Sequence, residues 1–437
     1  MKLRAFAPAL ALLGACSSTP AVAPPTWLDA PATLDVRQGI VKAVPMKLQA
    51  DAAVKIVTKA PAGIEATVTD KVLSIRADYD TDGDQTVHVD LTDGGGTRGF
   101  DVVLHVAKLD WQKAITWGQE GPQEREHGAF FYDEGKNTAW LLQGSGYKPQ
   151  FKPIDDDWKL DVSTGVWTAW VPTGDTMAPA GSRRTAHAEK NVFYTFGGYT
   201  DTADEGGVYR LDLDNAAKTV TKLTSVGAIP ARELHAFEYD AVSQQLVVFG
   251  GVTSGGSVFG DTWLGKVAGD TVTWTEVKFA KGSAPTPRYG SFVGFDAVAR
   301  RMVVFSGASV PKGSADPVNP QPDAWALDVA QDPPVWSLID VPGAPPGRRN
   351  GCGVYDAAGR RLIVFGGTSD AATTQPGLFI LEVTPGAERW STFTRPAPGV
   401  ARSSGFGFAD APSGNVYFGF GNGDTIYRDL NVIGYGP

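Results

Sequence analysis

The chain of 437 residues has two cysteines, four methionines, five histidines and no surplus of positive charge. Each shortage removes a class of protein. Two cysteines cannot build the disulfide framework on which small exported domains depend, so stability has to come from packing. With 39 Lys and Arg against 48 Asp and Glu, the formal charge is −9 and no basic run offsets it. The electrostatic footprint of a nucleic-acid binder is therefore missing. No histidine follows His235, which leaves the last part of the chain without an imidazole. Serine-hydrolase, P-loop and zinc signatures do not occur. Beyond the first sixteen residues no stretch approaches the ~20 apolar residues of a membrane-spanning helix. What is present is 42% hydrophobic residues, 52 glycines and 12 tryptophans, a composition that suits a packed all-β protein.

The first sixteen residues read as a secretion signal, with Lys2 and Arg4 before an apolar run from Ala5 to Leu13. Leu13-Gly14-Ala15-Cys16 resembles the lipobox of bacterial lipoproteins. The resemblance implies a lipid on Cys16 as the mature N-terminus, and Ser17 after it implies sorting to the outer membrane. Cys352 is then the only thiol, and no intramolecular disulfide can form. Residues 17–26 are a proline-rich tether, extended by composition. Residues 27–108 alternate apolar and polar positions in short runs, such as Val72-Leu-Ser-Ile and Phe100-Asp-Val-Val-Leu-His-Val106. Period-2 alternation over so short a span predicts a small β-sandwich. It is similar to the immunoglobulin-like and cadherin-like modules of bacterial surface proteins.

From residue 109 to 437 one phrase recurs six times. An arginine precedes an apolar strand, a polar turn opened by aspartate, and a second apolar strand that ends in glycine. The clearest copies of that second strand are Val192-Phe-Tyr-Thr-Phe-Gly-Gly198, Leu246-Val-Val-Phe-Gly-Gly251 and Leu362-Ile-Val-Phe-Gly-Gly367. Marked at Gln143, Phe196, Phe249, Phe305, Phe365 and Phe418, the copies are spaced by 53, 53, 56, 60 and 53 residues. Such a period signals a repeat architecture. Turns such as Asp240-Ala-Val-Ser-Gln between two β-rich runs predict hairpins. A third strand with an aromatic residue (Trp158, Tyr209, Trp325, Phe379) and a fourth with tryptophan (Trp167, Trp274, Trp336, Trp390) complete each copy. Four antiparallel strands in about 50 residues make one propeller blade.

These residues resemble the kelch repeat. The resemblance implies an all-β fold, a six-bladed β-propeller over residues 109–437. The sixth copy lacks its own fourth strand, and the tryptophan-bearing Leu109–Trp117 has no preceding partners. Assigning that segment to the sixth blade closes the ring with the N-terminal strand and leaves no open sheet edge.

Several constellations could carry chemistry. Arg125, Arg184, Arg232, Arg288, Arg348 or Arg349, and Arg402 fall where one blade passes into the next, so they gather around one end of the channel. They could bond carbonyls between blades, or form an electropositive rim, with His187 and His235, that selects an acidic ligand. The long connections Gly146–Asp156, Gly251–Asp261 and Gly307–Asp323 emerge on the same face, where binding is expected. His127, His187 and His235 invite a metal reading, but His127 is out of register with the other two. Asp78, Asp80, Asp82 and Asp84 have the D-x-D-x-D-G spacing of a calcium loop, although its twelfth position is Val89; the other reading is an acidic turn. Galactose oxidase shares the repeat, but its copper ligands do not carry over, and no cofactor is expected.

The sequence thus predicts a non-enzymatic, envelope-anchored binding module. Its partner would be an envelope protein or polysaccharide, possible ligands being acidic ones. It would meet the membrane through its lipid alone and bind no nucleic acid. The alternative is a carbohydrate-active enzyme like the sialic acid mutarotase family, working from the central pocket through Glu126, Glu233 and His235.

Overall fold

Every regular element among the described residues is a β-strand. The computed structural model describes residues 23–436 except 51–52, 119, 148–149, 183, 190, 311–318, 370–372 and 396–400. The leader, Cys16 and most of the tether lie outside the described residues. The chain divides into two units, Met1–Ala107 and Lys108–Pro437.

In the first unit, Thr33–Arg37, Gly96–Ala107, Gly83–Asp93 and Lys55–Lys59 form one sheet in that order, and Lys42–Pro45, Val72–Ala77 and Ile64–Thr69 form a second. Alternation explains the packing between them. Val87, Val89 and Leu91 point inward and meet Leu73, Ile75, Val102 and Leu104 in one core, while Thr86, His88 and Asp90 face the other side. On that outer row His88 lies between Asp101 at 2.5 Å and Asp90 at 2.9 Å, and His105 lies 2.7 Å from Asp84. Hydrogen bonds to these carboxylates raise both histidines above their ordinary pKa of 6.5. A raised folded pKa means that the added stability is complete below pH 6.5 and is lost as the pH climbs through the folded value. The melting temperature of this unit is therefore expected to fall slightly from pH 6 to pH 8. A His88→Gln, His105→Gln double variant should flatten that slope in a differential scanning calorimetry series; an unchanged slope would remove the histidines as its cause.

The acidic run nearby does not assemble. Asp78 accepts from the buried Arg76, and Asp84 is held by His105. Among the described residues no three His, Cys, Asp or Glu side chains group as a metal site. The spacing that suggested calcium is spent on a turn and on cross-strand pairs.

The second unit folds among the described residues as six sheets of four or five strands, with a two-stranded ribbon, Ser145–Tyr147 and Phe151–Pro153, in the connection of the first. In chain order their innermost strands are Ala129–Asp133, Arg184–Glu189, Ala236–Asp240, Phe292–Asp296, Cys352–Asp356 and Phe406–Asp410. Each inner strand pairs with the strand after it, and the third and fourth strands follow outward in five of the sheets. The third sheet gains an additional outer strand, Thr224–Val226, parallel to Thr271–Val277, which the sequence reading did not anticipate. Aspartate shapes the hairpins: Asp240 accepts from the N–H groups of Val242 and Ser243, and Asp296 and Asp356 do the same two residues on. Two of these turns are also tied to the next, Arg300 to Asp240 and Arg360 to Asp296, each at 2.6 Å.

Consecutive inner strands touch, and the first also touches the sixth. The apolar faces of neighbouring sheets merge. Ala236, Val247 and Phe249 of the third sheet share a cluster with Met302, Val304, Leu327 and Trp336 of the fourth. In the sixth sheet, Phe406–Asp410, Asn415–Gly419 and Leu430–Tyr435 are completed by Leu109–Ile115, which runs antiparallel to the last of them from Leu109 opposite Tyr435 to Ile115 opposite Leu430. Trp111 on that strand meets Phe365, Phe393 and Phe418 edge-on at 5.5–6.3 Å.

The glycine motif has a different phase from the one its pattern suggests. Two successive residues take positive φ after every second strand: Gln143 and Gly144, Gly197 and Gly198, Gly250 and Gly251, Ser306 and Gly307, Gly366 and Gly367, Phe420 and Gly421. The residues equivalent to Phe196 are therefore Leu142 and Gly419, and the markers Gln143 and Phe418 are one residue out. The first position tolerates glutamine, serine and phenylalanine at φ of 44–59°. The second does not. A Cβ on Gly421 would sit 2.3 Å from the Ser403 carbonyl oxygen, and one on Gly251 2.9 Å from that of Glu233.

Candidate functional site

The repeated arginines are built into the sheets. Arg232 donates from Nε to the Pro230 carbonyl at 3.0 Å, from Nη1 to the Gly250 carbonyl at 2.9 Å, and from Nη1 and Nη2 to the two oxygens of Asp261 at 2.6 and 2.9 Å. Arg288 grips Asp323 at 2.5 and 3.1 Å, Arg402 grips Asp429 at 2.6 and 3.1 Å, and Arg125 lies 2.6 Å from Asp156. All four guanidiniums are fully buried or nearly so. Burial alone would raise the Asp261 and Asp323 carboxyls, but the facing guanidinium outweighs it and holds both below the usual range. Each aspartate stands immediately before a third strand, so the pair ties the end of a long connection to the start of the inner strand.

This corrects the rim expectation for Arg125, Arg232, Arg288 and Arg402, whose donors are taken by the chain itself. In the fifth sheet the equivalent residue is Arg348 and not Arg349. Arg348 donates to the carbonyls of Pro346 and Gly366, and Gly377 stands where four of the other sheets have aspartate, the second having Gly207. Its Cζ lies 4.7 Å over the Phe379 ring, and burial lowers its pKa to about 10. Arg349 is half-buried with its Cζ 5.6 Å over Tyr289. In the second sheet the equivalent position is Ala180. Arg184 lies four residues further on, opposite Phe196, where the other sheets carry Ala129, Ala236, Phe292, Cys352 and Phe406.

The histidines do not converge either. His127 sits in the connection at φ 55°, its Nε2 3.8 Å from Glu126, and its backbone N–H donates to Ser404. His187 is exposed and packs on Phe193 at 4.8 Å. His235 is 1% exposed, sits edge-on to Phe196 at 5.0 Å, and neither ring nitrogen has a hydrogen-bond partner. Burial, reinforced by Arg232 and Arg184, pushes its pKa well below 6.5. Glu126 and Glu233 are buried in the connections, where their backbones bridge to Ser145 and Val252, and neither lines the axial cavity that His235 faces. Cys352 is equally inert, its thiol pushed up to about 12 by burial. Iodoacetamide should leave it unmodified in the folded protein at pH 8 and alkylate it once urea unfolds the chain, as read by intact mass.

The connections meet at the axis through backbone alone. Ser182 N–H donates to His127 at 2.9 Å, His127 to Ser404 at 3.0 Å, Ser404 to Asn350, Asn350 to Gly290 at 2.8 Å, and Gly290 to Leu234 at 2.8 Å. All six of these residues have φ between 53° and 68°. These bonds draw the connections together at the loop end of the axis. Below them the inner strands line a cavity of about 880 Å³ that runs down to the aspartate turns, where Val242 and Val298 are exposed. Arg184, His187, His235 and Glu238 line it. Glu238 was not singled out by the sequence, since it is an ordinary acidic position in an alternating strand; burial raises its pKa to about 8.

Successive sheets of four or five strands, all but the second with an arginine at the entry, with a glycine after the second strand and aromatic outer strands define a kelch-type β-propeller. Residues 184–421 match the KLHDC2/KLHL20/DRC7 Kelch-repeats domain, and the chain belongs to that family. Among curated relatives it is 25% identical to Adagio-like protein 1 of Oryza sativa subsp. japonica over 327 residues, 69% of this chain and 50% of the relative. It is 26% identical to N-(sulfonatooxy)prop-2-enimidothioate sulfolyase of Thlaspi arvense over 275 residues, 59% of this chain and 74% of the relative. The chain spans about half the length of the Adagio-like relatives it matches. The fold is also that of the solved structure of YjhT, with a TM-score of 0.52 at 12% identity over 72% of this chain and 99% of the other.

Proposed function

We propose that this kelch-repeat protein is a non-enzymatic interaction module: a six-bladed ring that engages an envelope protein or polysaccharide through the face bearing the long second-to-third strand connections. A lipid on Cys16 holds it at the outer membrane of a bacterial envelope, and the first unit serves as an immunoglobulin-like spacer. The observation that supports this reading is the set of arginine–aspartate pairs. Asp156, Asp261, Asp323 and Asp429 end four of those connections, and each is anchored to a buried guanidinium. Loops fixed at their bases lose little conformational freedom on binding, which favours affinity. Glu126, Glu233 and His235, the candidates for a carbohydrate-active enzyme, do not line one pocket, so that reading has less support.

The test is to block the exposed tip of one such connection with Gly255→Trp and Ser257→Trp, which leaves the buried Val252 and the Phe259 under Arg232 in place. Capture of envelope proteins or polysaccharide by the purified chain should drop while the melting temperature stays close to the parent's. Undiminished capture would move the binding surface elsewhere. In cells, Cys16→Ser should shift the protein from the membrane fraction to the soluble one; retention in the membrane would rule out the lipid anchor.

A further inference from the structure

The axial cavity differs from the loop face in position and in chemistry. It lies on the other side of the backbone bonds that link His127, Ser182, Leu234, Gly290, Asn350 and Ser404, and its lining reaches the aspartate turns. Its volume of about 880 Å³ is within the ~300–1,000 Å³ typical of small-molecule sites.

The lining is lopsided. At the position of Arg184 the other sheets carry alanine, phenylalanine or cysteine, and at the position of Glu238 they carry Phe131, Ala186, Gly294, Val354 and Phe408. At this level of the cavity one cation and one carboxyl come from the adjacent second and third sheets, while the other carboxylates of the lining, Asp133, Glu134, Asp214, Asp240 and Asp296, belong to the turn end. The fifth and sixth sheets, across the ring in the order of inner-strand contacts, contribute Val354, Phe406, Phe408 and glycines there, with Tyr355 next to Val354.

The polar side is also unanswered. Arg125, Arg232, Arg288 and Arg402 each meet an aspartate, whereas Arg184 has no carboxylate within ion-pair distance among the described residues, and its buried Nε has no hydrogen-bond partner. Glu233 acts on it only at longer range, and burial disfavours its charge. Beside it, both ring nitrogens of His235 are buried and unpaired. Buried polar groups are nearly always hydrogen-bonded, and an unpaired one that faces a cavity calls for a partner from outside the chain. Glu238 does not oppose an anion here, because burial keeps its carboxyl protonated at neutral pH and able to donate.

We infer that the axial cavity binds a small monocarboxylate with an apolar or aromatic body, its carboxylate on Arg184 and its body against Val354, Phe406 and Phe408. A guanidinium fork matches a carboxylate in two parallel hydrogen bonds, which a neutral amide cannot reproduce. This site is independent of the loop-face reading and stands or falls without it.

The experiment is calorimetric titration of the purified chain with benzoate, 3-phenylpropionate and hexanoate, each beside its primary amide, repeated on Arg184→Met. The expected result is saturable one-to-one binding of at least one acid, no binding of its amide, and a loss of at least tenfold in affinity in R184M. The melting temperature of unliganded R184M should equal or exceed the parent's, because the substitution removes a half-buried charge that has no carboxylate at ion-pair distance among the described residues. No saturation by any of the acids up to 10 mM, equal binding of acid and amide, or undiminished binding in R184M would overturn the inference. A fall in the melting temperature of R184M as large as that of Arg232→Met would also overturn it, by making Arg184 a structural group.

Discussion

Replacing Arg232 by methionine is expected to destabilise the second unit by about 3–5 kcal/mol, the cost of breaking a buried pair by removing one partner. The cost arises on both sides. Asp261 keeps its charge in a largely buried place with Trp263 Nε1, at 2.7 Å, and its own backbone N–H left to donate to it, and the carbonyls of Pro230 and Gly250 lose their donor. Adding Asp261→Asn should recover part of the loss, since the stranded charge is then gone, and the non-additivity measures the pair. Arg348→Met provides the contrast. It removes a buried guanidinium that has no carboxylate to strand among the described residues, so its cost should be clearly smaller. Urea unfolding of Arg232→Met, Asp261→Asn, their double variant and Arg348→Met decides the matter. A melting temperature unchanged in Arg232→Met, with ligand capture lost, would return Arg232 to the binding rim.

The second large effect is expected at Trp111. Its ring bridges the outermost strand Leu109–Ile115 to Phe365 and Phe393 of the fifth sheet and Phe418 of the sixth. Truncating a large aromatic in packed surroundings costs about 3–5 kcal/mol. Trp111→Ala should therefore loosen the one strand that comes from the far end of the sequence, and amide exchange should accelerate first in Leu430–Tyr435, its hydrogen-bonded neighbour. The freed edge would present unpaired backbone groups and invite association. Exchange that rises evenly over all six sheets would instead mean that the strand is not the weak point.

Much of this was legible from sequence because the repeats average out local noise. Aspartate turns, aromatic third strands and the orphan segment around Trp111 are local signals, and each lies in the strand or turn that its pattern implies. Phase and pairing were harder. Gln143, Ser306 and Phe420 stand at a left-handed position, so a search for glycine pairs shifts by one residue in the first and last copies. Arg184 passed as a member of the arginine series because another arginine occupies the true position in most copies, while Ala180 occupies it in the second. The arginines' partners, 27 to 35 residues away in sequence, are set by strand register and loop length, which a one-dimensional pattern does not encode. Burial of Glu238 is likewise a property of the assembled ring and not of its strand.

The hydrogen bonds that join the six connections at the axis involve only backbone atoms. Apart from proline, which lacks the N–H, no side-chain substitution deletes such a bond directly, so the residues on either side of it are free to diverge without undoing it. Five such bonds hold the inner strands together at one end, and the aspartate turns lie at the other, where Val242 and Val298 are exposed. A partner that docked on those turns would reach the cavity without disturbing the bonds that gather the ring.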